Sequence, residues 1–206
     1  MDGLLFDTER LFQKAWRDEA AAMNITLPDV FTGRVCGTSG EKQAEVVREF
    51  FPGGNPEEIM TNVQHRVYEE KEIPVKKGTF EILKGMKEQG ILMAVASSSP
   101  LPMIERNLEK TNTAEYFHCI VSGLQLQHGK PAPDIFLLAA EKTGVSPSDC
   151  YVFEDSPNGI IAGFKAGCAS IMIPDIVPPT EEIKKIAAGI FPDLSEAWEA
   201  ILNGEL

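Results

Sequence analysis

Three short segments carry side chains that could handle a phosphoryl group. Ser97-Ser98-Ser99-Pro100 follows an apolar run directly. A serine hydroxyl there, with the backbone N–H groups of a following helix start, can hold a phosphate oxygen. The same serines would also make an ordinary helix N-cap. In Gly129-Lys130-Pro131-Ala132-Pro133-Asp134, two prolines stiffen the loop and aim an ammonium able to offset phosphoryl charge. A surface lysine beside a helix start is the plainer reading. In Phe153-Glu154-Asp155-Ser156-Pro157-Asn158-Gly159, two adjacent acids end an apolar strand. That suits Mg²⁺, which takes a few carboxylates and keeps waters for the rest. An acidic helix N-terminus, favoured by the helix dipole, is the alternative. Together, a hydroxyl, a lysine and an acid pair at successive strand ends of one parallel sheet describe a phosphoryl-transfer site, which needs charge neutralisation and positioning and little else.

The elements that must position these groups follow from the hydrophobic pattern. Beyond Ile73-Pro74-Val75-Lys76-Lys77-Gly78 helices and strands alternate. Helix Thr79–Gln89, closed by Gly90, precedes a strand over Ile91–Ala96 and a helix over Leu101–Thr111. Strand Cys119–Ser122 leads to helix Asp134–Thr143, closed by Gly144. Strand Cys150–Phe153, helix Ser156–Ala166, strand Ala169–Ile173 and helices Thr180–Ala188 and Ser195–Leu202 complete the series. Such alternation predicts a parallel sheet covered on both faces, with its site beyond the carboxyl ends of the strands. Residues 9–73 read instead as helix and loop. Helices are expected over Thr8–Asn24, over Gly40–Phe51, and from the Asn55 cap and Pro56 to about Glu72. The fold class is therefore α/β: a Rossmann-like parallel sheet core of residues 1–8 and 77–206, interrupted by an all-helical insert at 9–76.

Composition narrows the partners. The 206 residues are 43% hydrophobic and 24% charged, with a net charge of −12. That surface repels nucleic acid and anionic membranes, and a phosphate site needs its own local positive charge. No segment approaches the ~18 apolar residues of a membrane span, and the acidic N-terminus is no secretory signal. Cys36, Cys119, Cys150 and Cys168 are scattered, and His65, His118 and His128 show no metal-ligand spacing. A reduced, cytoplasmic, monomeric chain is expected.

The three segments resemble motifs two, three and four of the haloacid dehalogenase superfamily, and Met1-Asp2-Gly3-Leu4-Leu5-Phe6-Asp7-Thr8-Glu9 resembles the remainder of its motif one. Order and spacing fit along nearly the whole chain, in the manner of the β-phosphoglucomutase-like phosphatase branch with a helical cap. The resemblance implies an aspartyl-phosphate mechanism. In it Asp2 is the general acid and base, Ser97 and Ser98 contact the substrate, and Lys130 stabilises the transferring group. Glu154, Asp155 and the Asp2 backbone carbonyl would hold Mg²⁺. The substrate would be a small phosphorylated metabolite, a sugar or nucleoside monophosphate.

The sequence departs from that pattern at its start. The family's nucleophilic aspartate would stand immediately before Met1, at the end of an apolar strand lying mid-sheet. The expectation is a natural chain that extends before Met1, the first core strand being absent from these 206 residues. An ungapped reading places Phe12 and Gly40 where mutases of this branch carry a histidine and an arginine for a second phosphate, which favours a phosphatase. Arg10, Lys14 and Arg34 are candidate substrate contacts from the insert, or ordinary surface residues. The alternatives are a sugar-phosphate mutase and a non-catalytic ligand-binding protein.

Overall fold

The structure, a computed structural model, describes residues 1–35, 38 and 40–206. Among them the chain divides into two compact units, Thr8–Ile73 and Met1–Asp7 with Pro74–Leu206.

The first unit is helical: α1 (Thr8–Ala22), α2 (Val30–Val35), α3 (Gly40–Phe50) and α4 (Pro56–Glu69). Asn55 caps α4, its side chain accepting the Glu57 N–H at 3.0 Å, and Pro56, Glu57 and Glu58 fill the first turn. An aromatic cluster forms the core, with the Trp16 ring 5.5 Å from Phe31 and 5.9 Å from Phe51. Helix α2 escapes the sequence pattern because six residues with only Phe31 and Val35 buried are too short to show a period. Cys36 lies outside the described residues.

One carboxylate is buried in this unit. Glu19 is 5% exposed and accepts from Asn62 Nδ2 at 2.8 Å and Arg66 Nε at 2.9 Å.

The second unit contains α5 (Thr79–Glu88), β1 (Ala94–Ser97), α6 (Leu101–Lys110), β2 (Cys119–Ser122), α7 (Asp134–Thr143), β3 (Tyr151–Glu154), α8 (Pro157–Ala166), β4 (Ala169–Met172), α9 (Glu181–Ile186), β5 (Gly189–Ile190) and α10 (Leu194–Leu202). Every ladder is parallel. β1 pairs with β2 from Ala94↔Cys119 to Ser97↔Ser122, and β3 pairs with β4 from Tyr151↔Ala169 to Glu154↔Met172. β5 extends the second ladder through Ile171↔Gly189. Val121, Ile135, Phe136, Val152 and Ala162 pack together between the strands and helices α7 and α8.

Several element boundaries shift by one to three residues from the sequence expectation, and two of the shifts have a visible cause. The strand expected over Ile91–Ala96 runs over Ala94–Ser97, and Ile91 and Leu92 are 39% and 47% exposed. Pairing decides this, because β2 begins opposite Ala94 and gives the earlier residues no ladder. The helix expected over Thr180–Ala188 stops at Ile186, since the Ala188 N–H donates to Ser170 O at 2.7 Å and brings in β5.

The N-terminal residues fold into a tight turn, the Leu5 N–H donating to Met1 O at 2.8 Å. The turn is fastened to the Pro74–Lys76 segment by Asp7 N–H to Pro74 O at 2.8 Å and Lys76 N–H to Leu5 O at 2.9 Å. A cavity of about 310 Å³ lies beside this turn, bordered by Ala94–Ala96 of β1 and Tyr151–Phe153 of β3.

Cys119, Cys150 and Cys168 are free thiols, and burial pushes the Cys168 thiol up to about 11. No helix among the described residues is long and apolar enough to cross a membrane.

Candidate active site

The strand ends converge through Lys130. Its ammonium pairs with Glu154 Oε1 at the end of β3 and donates to Ala96 O at 3.4 Å, one residue before the end of β1. The ammonium also lies 5.0 Å from the Phe136 ring centre, and the Lys130–Pro131 peptide bond is cis. The sequence placed these groups along one sheet. The structure places them on two ladders, β1–β2 and β3–β4–β5, with Lys130 reaching both.

Asp2 joins from the N-terminal turn. Its Oδ2 accepts from Ser99 Oγ at 2.8 Å and from Ser97 Oγ at 3.4 Å. Ser97 is 4% exposed and its Oγ also accepts the Ser99 N–H at 3.2 Å. Ser98 is exposed, so the second hydroxyl at Asp2 comes from Ser99, which sequence reasoning did not select. The period-two alternation of extended backbone was the available signal, because it puts residues 97 and 99 on one face.

The two acids differ in their surroundings. Glu154 is 5% exposed, and its oxygens accept from Lys130 on one side and from Ser156 Oγ (3.0 Å) and N–H (3.3 Å) on the other. Burial works to raise its pKa. The Lys130 charge, the N-terminal ammonium and these hydrogen bonds outweigh that and hold the carboxyl below its ordinary value. Asp155 is pushed up to about 7, first by burial and then by the Glu154 charge beside it. One acid is thus matched and the next carries an unmet like-charge repulsion.

Two glycines make room for these carboxylates. A Cβ on Gly159 would stand 2.0 Å from Glu154 Cδ, which explains a glycine three residues after the Ser156 cap. Gly3 has φ +73° and a Cβ there would stand 2.5 Å from Asp155 Oδ2 and 3.2 Å from Asp175 Oδ2. Asp175, paired with Lys76 at 2.5 Å, therefore belongs to the same neighbourhood. Sequence reasoning missed it, although Pro174-Asp175 follows the apolar run of β4 much as Glu154-Asp155 closes β3.

Among the described residues no group of three or more His, Cys, Asp and Glu side chains could hold a metal by itself. That disfavours an all-side-chain cage such as a structural zinc site. It remains compatible with Mg²⁺, which takes one or two carboxylates with carbonyls and water. A desolvated acid raised by a neighbouring acid is also a group that a cation would relieve. In the helical unit Lys14 pairs with Glu70 at 2.5 Å and Arg34 with Glu49 at 2.8 Å, while Phe12 packs against the aromatic core.

Known proteins are similar to this chain in sequence and in fold. The sequence pattern of the family described as haloacid dehalogenase-like hydrolase matches residues 1–173. Hexitol phosphatase B of Escherichia coli is 34% identical over 182 residues, covering 84% of this chain and 81% of its own. The β-phosphoglucomutase of Bacillus subtilis is 33% identical over 185 residues, covering 83% and 79%. The crystal structure of a candidate β-phosphoglucomutase from Thermotoga maritima superposes with a TM-score of 0.86 at 25% identity, covering 100% of this chain and 97% of that one. The parallel ladders, the strand-end acids and these likenesses agree: the chain belongs to the haloacid dehalogenase-like hydrolases, in their β-phosphoglucomutase-like branch.

Proposed function

We propose that the strand ends form the site of a Mg²⁺-dependent phosphatase acting on a small phosphorylated metabolite, a sugar or nucleoside monophosphate. The observation that carries this reading is Lys130, whose ammonium reaches Ala96 O near the end of β1 and Glu154 at the end of β3. In a chain of net charge −12, that buried cation is the local attraction a phosphate needs.

Each residue then has a task. Ser97 would turn its hydroxyl to a phosphoryl oxygen, and Ser99 would orient the Asp2 carboxyl. Asp2 would give a proton to the leaving oxygen and later accept one from the attacking water. Lys130 would spread its charge between Glu154 and the transferring group. Glu154, Asp155 and the Asp2 backbone carbonyl would hold Mg²⁺. Bound there, the cation would supply charge neutralisation to the phosphoryl oxygens. The extended protein in the test below supplies the phosphoryl-accepting aspartate that the family resemblance implies. The helical unit would act as the cap that sets substrate choice. Phe12 and Gly40 offer no charged group for a second phosphate, which favours hydrolysis over mutase chemistry.

The test is Mg²⁺-dependent phosphate release from a generic phosphomonoester. The 206-residue chain is compared with a version carrying an N-terminal strand that ends in aspartate. The extended protein is expected to turn over, and Asp2→Asn to lower its rate by about 10²–10⁴-fold. Full activity of the shorter chain would reassign the nucleophile. Two folded but inactive proteins that bind phosphorylated ligands would make this a binding protein instead.

A further inference from the structure

Hydrogen bonds account for only part of what holds Lys130 still. A lysine has a long, rotamer-rich stem whose ordering opposes any fixed position, yet this side chain is only 12% exposed. An ammonium has three N–H donors. One meets Glu154 Oε1, and one meets Ala96 O at 3.4 Å, longer than an ordinary N–H···O bond. The third has no acceptor among the described residues.

The remaining neighbour is an aromatic ring. The Phe136 ring centre lies 5.0 Å from the ammonium, within the roughly 6 Å over which a ring face attracts a cation. That attraction acts on the charge as a whole and uses up no N–H. A second carboxylate in the same place would take the third donor for itself. The ring is in turn fixed by its surroundings. Phe136 is 7% exposed, its N–H donates to Pro133 O at 3.0 Å, and it belongs to the core cluster of Val121 and Val152 against which Ala96 packs. Pro131 and Pro133 stiffen the short loop between cation and ring. Desolvation of both partners places the contact at the strong end for its kind.

We infer that Phe136 is a positioning residue for Lys130: its ring face holds the ammonium between Ala96 O and Glu154 and leaves one N–H free for a phosphoryl oxygen. The hold on the ammonium stands on the geometry alone, and the use of the free N–H rests on the phosphatase reading above. Plain packing would depend on the shape of the ring. This contact depends on the charge distribution of its face.

The test changes that distribution and keeps the shape. Phe136 is replaced by phenylalanine bearing one, two and then three ring fluorines, which progressively drain the face of negative potential. In the 206-residue chain, the unfolding constant from chemical denaturation should rise at each step, by at least about fivefold in total. The series is repeated with Lys130→Met and Glu154→Gln together, the second change preventing a stranded carboxylate. Without the cation it should be flat. In the extended protein, kcat should fall along the series by at least about threefold while KM moves little, and Phe136→Leu should be no faster than the trifluoro protein. Equal slopes with and without the Lys130 charge would reduce the ring to packing and overturn the inference. So would a constant kcat in an active extended series. If the extended parent turns over nothing, the phosphatase reading fails, and the two slopes still decide whether the ring holds the ammonium.

Discussion

Each unit of this protein buries a glutamate, and the two are solved differently. Glu19 in the helical unit is 5% exposed and answered by the Arg66 guanidinium and the Asn62 amide. Glu154 in the α/β unit is also 5% exposed and answered by Lys130 and Ser156. What separates them is the next residue. Asp155 adds a second carboxyl to the same neighbourhood and is raised to about 7, whereas Glu19 is followed by the buried Ala20. A buried acid with matched partners is a structural device. A buried acid with a like charge beside it is the signature of a site awaiting something positive.

Breaking the buried Lys130–Glu154 pair should have the largest effect. Lys130→Met strands a buried carboxylate, and thermal or denaturant unfolding should show a loss of about 3–5 kcal/mol. Phosphate release in the extended protein should fall at least about 10²-fold. Unchanged stability would mean that Glu154 is not held ionised by Lys130.

Asp155→Asn sharpens the comparison in the opposite direction. An acid raised above its ordinary value of 3.8 favours folding at low pH, and that contribution is lost as pH rises through about 7. At pH 8 and without divalent cation, the variant should therefore be more stable than the parent, by on the order of 2 kcal/mol in chemical denaturation. It should be inactive as well. Destabilisation at pH 8 would show that Asp155 is not a repelled carboxylate.

Glu19→Gln should cost about 1–2 kcal/mol through its weakened bond to Arg66 and leave Mg²⁺ affinity alone in a binding titration. A change in metal affinity would break the division of roles between the two glutamates. Arg34→Ala, removing an exposed pair with Glu49 at 2.8 Å, should change stability by less than about 1 kcal/mol in thermal melting.

Much of the fold could be read from the sequence where local signals were strong. β2 at Cys119–Ser122 and α7 at Asp134–Thr143 fall where the pattern put them, with Gly144 left-handed at the helix end. Those boundaries rest on turn chemistry and on apolar runs short enough to be strands. The errors arise where a distant partner decides. Ile91 and Leu92 look like strand residues, but nothing pairs with them in the described ladders. β5 is two residues long and exists because Ala188 and Phe191 find β4 carbonyls. The same holds at the site. Spacing drew attention to Ser97, Lys130, Glu154 and Asp155, whereas Ser99 and Asp175 emerge only once Asp2 and Gly3 are seen beside them. Contact across long sequence separation is a tertiary fact that local patterns do not encode.

Asp155 is the acid left for a cation, and calorimetric titration of Mg²⁺ into the folded protein at pH 8 and pH 6 tests this most directly. Binding should be measurable at pH 8 and weaken toward tenfold per unit as pH falls below about 7, and it should vanish in Asp155→Asn. Equal affinity at both pH values, or undiminished binding in that variant, would contradict the account.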